Sequence, residues 1–296
     1  MNDSLGVLAA MLSSALGGAS IGATRYVAHL VDPLALGSLR FGIGFVFLVP
    51  LALMQKAAWP ARADWLRTVG LGLLFFALFP ALFNASLQLT TASRGALALS
   101  TLPLLTMVVA ALLGAESLTR RKACGVSIAL AGVAIALLSG LGSAPTGAWK
   151  GDLVMVAAAA AMAFYSVWSR PVIRRSSPLA FTASAMGVGA LCLIGLSIWR
   201  GGLKPVVDFN LPQWLAIAYL GVFGAAITFF LWSYALSRTT PTLVAVSVTV
   251  NPIAAALVGA ILLGEPLGWN LVIGLAAVGL GIRVATVRPN PSREPP

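Results

Sequence analysis

From Leu102 to Leu118 the chain reads LPLLTMVVAALLGAESL, and from Asn251 to Leu267 it reads NPIAAALVGAILLGEPL. Both stretches are apolar almost throughout, and a shift of 149 positions lays Pro103 on Pro252 and Glu116 on Glu265. Working outward at the same shift, Trp65 meets Trp214, Leu66 meets Leu215, Gly72 meets Gly221, and Thr90-Thr91 meets Thr239-Thr240. Further on, Gly125 meets Gly274 and Gly132 meets Gly281, while near the start Asp3 meets Asp152. One segment needs a shift of 145 instead, which pairs Pro33-Leu34-Ala35 with Pro178-Leu179-Ala180 and Gly42 with Gly187. The chain is therefore a duplication, and the repeated unit is apolar.

Composition says where such a unit belongs. Of 296 residues, 59% are hydrophobic and 9% charged, with a mean hydropathy of +0.96; a soluble domain carries about 25% charged residues. A bilayer-spanning helix takes roughly 20 apolar residues, so ten spans would occupy about two thirds of this length. No room is left for a separate soluble domain. Charges are costly in hydrocarbon, so the gaps between them mark the spans. These run from Asp3 to Arg25, Arg40 to Lys56, Arg67 to Arg94, Arg94 to Glu116, Lys122 to Lys150, Asp152 to Arg170, Arg175 to Arg200, Asp208 to Arg238, Arg238 to Glu265, and Glu265 to Arg283. The second span begins near Pro33 and so carries Arg40 inside it.

The expected fold is an all-α integral membrane protein, with ten transmembrane helices as two inverted five-helix repeats. Helices are required because lipid offers backbone groups no partner. Inversion follows from parity: five spans is an odd number, so the second half enters the membrane from the opposite side. Residues 1–146 form the first repeat, 147–287 the second, and the proline-rich 288–296 a disordered cytoplasmic tail. Basic residues in short loops orient the whole, since the cytoplasmic side carries the excess. With the N-terminus inside, 13 Lys and Arg fall on the cytoplasmic side, among them Arg62, Arg67, Arg121 and Arg175, against five opposite: Arg25, Arg94, Lys150, Arg200 and Lys204. Both termini are expected in the cytoplasm, and the first span is expected to stay in the mature protein.

Leu87-Gln88-Leu89-Thr90-Thr91-Ala92-Ser93, Leu102-Pro103-Leu104, Leu113-Gly114-Ala115-Glu116-Ser117-Leu118, Gly125 and Gly132 together resemble the signature of the EamA-like family of the drug/metabolite transporter superfamily. The second copy follows with Ala235-Leu236, Thr239-Thr240, Asn251-Pro252, Leu263-Gly264-Glu265-Pro266-Leu267, Gly274 and Gly281. Pro33 to Phe41, ending Leu39-Arg40-Phe41, is similar to that family's second-helix pattern. One departure is Gly17-Gly18, where many members carry Trp-Gly. The resemblance implies ten transmembrane helices and export of amino acids or other small metabolites.

Polar groups inside hydrocarbon are functional candidates by default. Arg40 has no carboxylate within one helical turn; it either faces a substrate's carboxylate or phosphate, snorkels outward, or caps carbonyls of a neighbouring helix. Phe76, Pro80, Asn84 and Gln88 recur every four residues and share a face. Pro80, Pro103 and Pro252 are candidate kinks. Kinks at equivalent places in two repeats are the best pointer to a transport site, which draws in Ser100, Ser247 and Asn251. Tyr165, Trp168 and Ser169 share a second face, Thr228 and Trp232 a third; of these Tyr165 and Trp232 suit an amphipathic guest, while Trp168 beside Arg170 reads as interfacial. Ser14, Gly18 and Gly22 form a packing stripe, with Ser20 and Thr24 flanking it. Glu116 and Glu265 read as residues of solvated turns. The expected substrate-binding set is Arg40, Asn84, Ser100, Tyr165, Trp232, Ser247 and Asn251.

Other functions are disfavoured on chemistry. The basic residues are not interleaved with aromatics, so nucleic acid is not an expected partner. Cys124 and Cys192 lack metal-ligand spacing, the single histidine is His29, and no glycine loop cradles phosphate, so neither metal, cofactor nor ATP hydrolysis is expected and the chain is not read as an enzyme. What remains is an inner-membrane exporter or facilitator working by alternating access around a central cavity, its partners a small-molecule substrate and the bilayer, a monomer sufficing. Amino acids are the leading substrate class; the alternative is a flippase of a lipid or lipid-linked sugar.

Overall fold

A computed structural model describes residues 2–28, 30–90, 92–137, 146–251, 254 and 269–286. Among them the chain is helical and holds no strand. The first half comprises α1 (Asn2–Ala28), α2 (Pro33–Met54), α3 (Trp65–Leu73), α4 (Phe79–Leu89), α5 (Ala92–Leu99), α6 (Leu102–Leu112) and α7 (Arg120–Leu137). The second comprises α8 (Ala148–Arg175), α9 (Pro178–Trp199), α10 (Leu211–Gly221), α11 (Thr228–Arg238), α12 (Pro241–Val246) and α13 (Trp269–Thr286). Five helical stretches are long and apolar enough to cross a bilayer: Pro33–Met54, Arg62–Ser86, Ala148–Arg175, Pro178–Trp199 and Leu211–Arg238. Shorter apolar stretches lie at Ser4–Ser20, Leu97–Leu112, Pro241–Val250 and Val272–Ala285.

Irregularities occur in pairs. The third span of each half passes through a π-helical segment, Leu74–Leu78 and Val222–Ile227, and the shift of 149 superposes them. Pro80 follows the first, but Phe229 stands at its place in the second, so proline is not what both copies share. The fourth span is broken rather than bent. Ser100 and Thr101 turn between α5 and α6 just before Pro103, and a 3-10 segment, Ser247–Val250, follows α12 just before Pro252. Proline lacks an N–H and disfavours helical backbone at the residue before it, which accounts for a break at that point. Pro252 itself, like His29, Glu265 and the tail 288–296, lies outside the described residues.

The halves meet through glycines whose contacts repeat. A β-carbon on Gly125 would sit 2.7 Å from the carbonyl oxygen of Gly281, and one on Gly132 would sit 2.8 Å from that of Gly274. Because Gly125 and Gly274 are copies, as are Gly132 and Gly281, the two contacts are two-fold mates, and the rising number on α7 against the falling one on α13 makes the helices antiparallel. The second and third spans repeat the pattern. Gly72 abuts the Ala185 carbonyl and Val188 of α9, while Gly221 abuts the Arg40 carbonyl and Ile43 of α2. Gly189 abuts Phe76, and Gly44 abuts Ala225. Each of these is the other's mate when α2 and α9 are related by 145 and the third spans by 149.

The first span obeys the smaller shift as well. Gly151 packs on Thr90 and Gly6 on Thr239, so Gly6 corresponds to Gly151. The structural correspondence of α1 with α8 is thus 145, not the 149 suggested by Asp3 and Asp152. Helix starts agree: Asp32 accepts from the Leu34 amide and Ser177 from that of Ala180, each just before Pro33 or Pro178. Such caps satisfy amides that have no partner within the helix.

Candidate functional site

An aromatic cluster occupies the contact between halves. The rings of Phe75 and Tyr165 stack 4.2 Å apart, and Phe76 and Phe229 meet Phe75 edge to face at 5.0 and 5.2 Å. Phe41 joins through Phe76 and Phe229 at 5.4 and 6.0 Å. Phe75, Phe76 and Tyr165 are fully buried. The π segment explains why two consecutive phenylalanines both reach this core: its wider turn breaks the four-residue register expected from Phe76 to Gln88. Asn84 is half-buried on α4, and the side chain of Gln88 is not among those described. The face drawn through Tyr165, Trp168 and Ser169 divides: Tyr165 and Ser169 are buried while Trp168 is 54% exposed, as an interfacial tryptophan would be.

Helix α1 gathers several of the expected residues along its length. Ser14 hydrogen-bonds Ser247 at 2.9 Å, and Ser13 donates to the Thr228 carbonyl at 2.7 Å. One turn on, Gly18 lies against the Asn251 backbone and Gly17 faces the Asn251 side chain, whose Oδ1 is buried without a hydrogen-bond partner. Gly18 therefore lets the stretch carrying Asn251 approach closely, since a β-carbon there would lie 2.4 Å from the Asn251 carbonyl oxygen. Further along, Ser20 and Arg40 both lie against Gly224.

The Arg40 guanidinium donates through Nη2 to the Gly224 carbonyl, inside the second π segment. It stands 5.8 Å over the Phe41 ring, at the edge of the aromatic cluster. Of the alternatives weighed for Arg40, the carbonyl of a neighbouring helix is therefore one partner; its Nε is buried with none. Trp232 is buried with an unpartnered Nε1, and the Tyr165 hydroxyl, near Ser233, also lacks a bond. Ser233 itself accepts from Thr182 at 2.7 Å. Ser100 is buried at the break in the fourth span.

Of the expected set, Arg40, Ser247 and Asn251 converge on α1, and Tyr165 and Trp232 belong to the adjoining core. Asn84 lies on α4, and Ser100 lies at the break between α5 and α6. Phe75, Phe229 and Gly224 carry no mark in the sequence: Phe75 and Gly224 lie inside the π segments and Phe229 just past the second, and a π segment has no sequence marker comparable to proline.

Glu116 overturns its expected role. Far from a solvated turn, its carboxylate is 4% exposed, accepts from the Thr242 amide at 2.9 Å and pairs with Lys122 at 2.6 Å. It caps the start of α12 across the repeat boundary, where free amides carry positive potential. Two ion pairs join the halves: Asp152 with Arg94, supported by Thr90, and Asp64 with both Nε and Nη2 of Arg175. They sit towards opposite ends of the 28-residue α8, about 35 Å apart at a helical rise of 1.5 Å. Among the described residues no group of three or more His, Cys, Asp or Glu gathers.

Apolar helices in two copies, joined by mated glycine contacts around buried polar groups, define a polytopic membrane protein of duplicated fold. The chain belongs to the EamA-like transporter family, whose model matches residues 4–138 and 149–287. It is 25% identical to Uncharacterized transporter YyaM of Bacillus subtilis, over 91% of this chain and 89% of that one. An Uncharacterized transporter of Archaeoglobus fulgidus is 28% identical over 90% and 93%. Uncharacterized inner membrane transporter YedA of Escherichia coli is 26% identical over 86% and 82%. A solved crystal structure superposes with a TM-score of 0.80, covering 96% of this chain and 98% of the other at 23% identity, which speaks for the fold.

Proposed function

We propose that this chain is an inner-membrane carrier that moves a small metabolite, amino acids being the leading class, by alternating access. In this reading ten spans form two inverted five-helix repeats, divided near residue 147, with both termini and the tail 288–296 in the cytoplasm. The observation that carries it is the mating of Gly72 on Ala185 and Val188 with Gly221 on Arg40 and Ile43. When two copies of one unit pack on each other by the same contacts, exchanging their conformations yields a second state of comparable energy, open to the other side. The relatives named transporters, and YedA named an inner membrane transporter, support the same reading.

The substrate-binding set is Arg40, Asn84, Ser100, Tyr165, Trp232, Ser247 and Asn251. Arg40 is the electrostatic element, Asn251 and Ser247 supply hydrogen bonds along α1, and Tyr165 and Trp232 supply an apolar wall with polar tips. The breaks before Pro103 and Pro252 are the points at which the fourth spans adjust. No covalent step is required of any of them, as transport is a matter of binding and conformational exchange.

The test is flux of labelled amino acids, against labelled lipids, into liposomes containing the full chain. Saturable amino-acid flux that drops in Asn251→Ala, with unchanged protein yield and unfolding temperature, is the expected result. Lipid movement without amino-acid flux would replace the carrier by a flippase, and unaltered flux in both Asn251→Ala and Asn84→Ala would discard the proposed cavity.

A further inference from the structure

The two-fold that relates the halves also relates the surroundings of Arg40 to a second place in the molecule. At the shift of 145 Ser20 corresponds to Tyr165 and Arg40 to Ala185; at 149 Gly224 corresponds to Phe75. The same three-way junction of first, second and third spans is thus built twice with opposite chemistry. In one copy the Phe75 ring stacks on Tyr165 and Ala185 holds the arginine's place, so the junction is filled by rings. In the other, glycine replaces the phenylalanine, serine the tyrosine, and arginine the alanine. Gly224 has no room for a side chain: a β-carbon there would lie 2.7 Å from Ser20 Oγ and 3.3 Å from Arg40 Nη2.

We infer that the Ser20–Arg40–Gly224 junction binds the carboxylate of the transported molecule, an inference that rests on the carrier reading. A guanidinium carries five donors in a planar fork. Here Nη2 is engaged by the Gly224 carbonyl and Nε is buried without a partner. The ion pairs among the described residues are Arg94–Asp152, Lys122–Glu116 and Arg175–Asp64, none of which involves Arg40. Among the described residues no carboxylate pairs with this part-buried guanidinium, and a charge without a partner is among the most costly things a membrane protein retains. A carboxylate arriving with the substrate supplies the missing countercharge, and its planar geometry matches the Nε/Nη edge in a way an amine or a neutral amide does not. Ser20 Oγ now donates to the Leu16 carbonyl at 2.8 Å, and it joins the carboxylate by turning that one hydrogen off the carbonyl towards the guest. Phe41, over which the guanidinium stands, packs on the aromatic cluster. The junction therefore selects a molecule with a carboxylate head and an apolar body.

Four compounds sharing one ring separate head-group recognition from body recognition: phenylalanine, 3-phenylpropionate, phenylalaninamide and phenethylamine. The full chain in liposomes is treated with phenylglyoxal, which modifies guanidinium groups, and modification of Arg40 is followed by peptide mass spectrometry, with the exposed Arg62 and Arg121 as internal references. Phenylalanine and 3-phenylpropionate are expected to slow modification of Arg40 by about tenfold or more, the loss corresponding to a charged hydrogen bond, and the amide and amine to leave it unchanged. Gly224→Ala keeps the charge but crowds the junction, and should abolish the protection while Arg40 still reacts. Equal protection by all four compounds, no protection by any, or an Arg40 that never reacts while Arg62 and Arg121 do, would each overturn the inference. Flux of the same four compounds in untreated liposomes is scored separately. Absence of all flux counts against the carrier, whereas flux indifferent to head group and to Arg40→Gln counts against the carboxylate junction alone.

Discussion

Gly125 and Gly281 each occupy the space a side chain on the other would need: a β-carbon on Gly125 would lie 2.7 Å from the Gly281 carbonyl oxygen, and one on Gly281 would lie 2.6 Å from that of Gly125. The contact is reciprocal because α7 and α13 are copies packed antiparallel. Without a hydrophobic drive between helices in lipid, closeness of backbones is the main source of cohesion.

Gly281→Val is therefore expected to destabilise the protein by about 1–3 kcal/mol through overpacking. Gly279→Val, two residues away where nothing lies within 4 Å, should be close to neutral. Thermal unfolding in one detergent checks the pair, and equal behaviour of the two variants would refute the seam.

Glu116 caps α12 from the other half of the chain, so its removal acts at a distance in sequence. Glu116→Ala strands the Thr242 amide and the Lys122 ammonium, and should cost about 1–3 kcal/mol. Glu116→Gln keeps a carbonyl acceptor for the amide and is expected to lose less. A larger loss in the glutamine variant than in the alanine variant, read by unfolding, would contradict the cap.

For Tyr165 the ring and the hydroxyl are predicted to separate cleanly. The hydroxyl is buried without a hydrogen bond, so Tyr165→Phe should change stability by less than about 1 kcal/mol. Tyr165→Ala removes the partner of Phe75 and should cost about 3–5 kcal/mol. If the phenylalanine variant keeps its fold but loses flux, the hydroxyl belongs to the substrate and not to the core.

Asp64 is buried and Arg175 half-exposed, a geometry in which water and salt screen the pair. A double-mutant cycle with Asp64→Asn and Arg175→Gln is expected to give a coupling of about 1 kcal/mol or less, shrinking further at high salt. A coupling that survives molar salt would mark the pair as a rigid tie between halves.

The proposed opposed sidedness of the halves has its own measurement. With Cys124 and Cys192 replaced by serine, Arg121→Cys and Lys150→Cys are expected to react with an impermeant thiol reagent from opposite faces of sealed vesicles. Labelling of both from one face would remove the inverted topology.

Much of this architecture was legible in residue order, because lipid imposes a simple rule on it. Charges are expelled from hydrocarbon, so the gaps between Arg, Lys, Asp and Glu delimit apolar spans. Identity at a constant shift then exposes the duplication through Gly72, Gly125, Gly132, Pro103 and their copies. Less legible was anything set by contact across the halves. Glu116 reads as a turn residue because its partner Thr242 is 126 positions away. The π segments at Leu74–Leu78 and Val222–Ile227 change which side chains face inward by one extra residue, and only one of the two adjoins a proline.

The amino-acid order alone determined that this chain is an apolar, helical, twice-written membrane protein, since solvation of charge and backbone is decided locally, residue by residue. Only the tertiary structure decided that Gly125 meets Gly281, that α1 brings Ser247, Asn251 and Arg40 to one side, and that the junction holding a guanidinium has a ring-filled counterpart at Phe75 and Tyr165. Those relations depend on how two copies dock, and docking is set by the summed shape of surfaces that no single stretch of sequence contains.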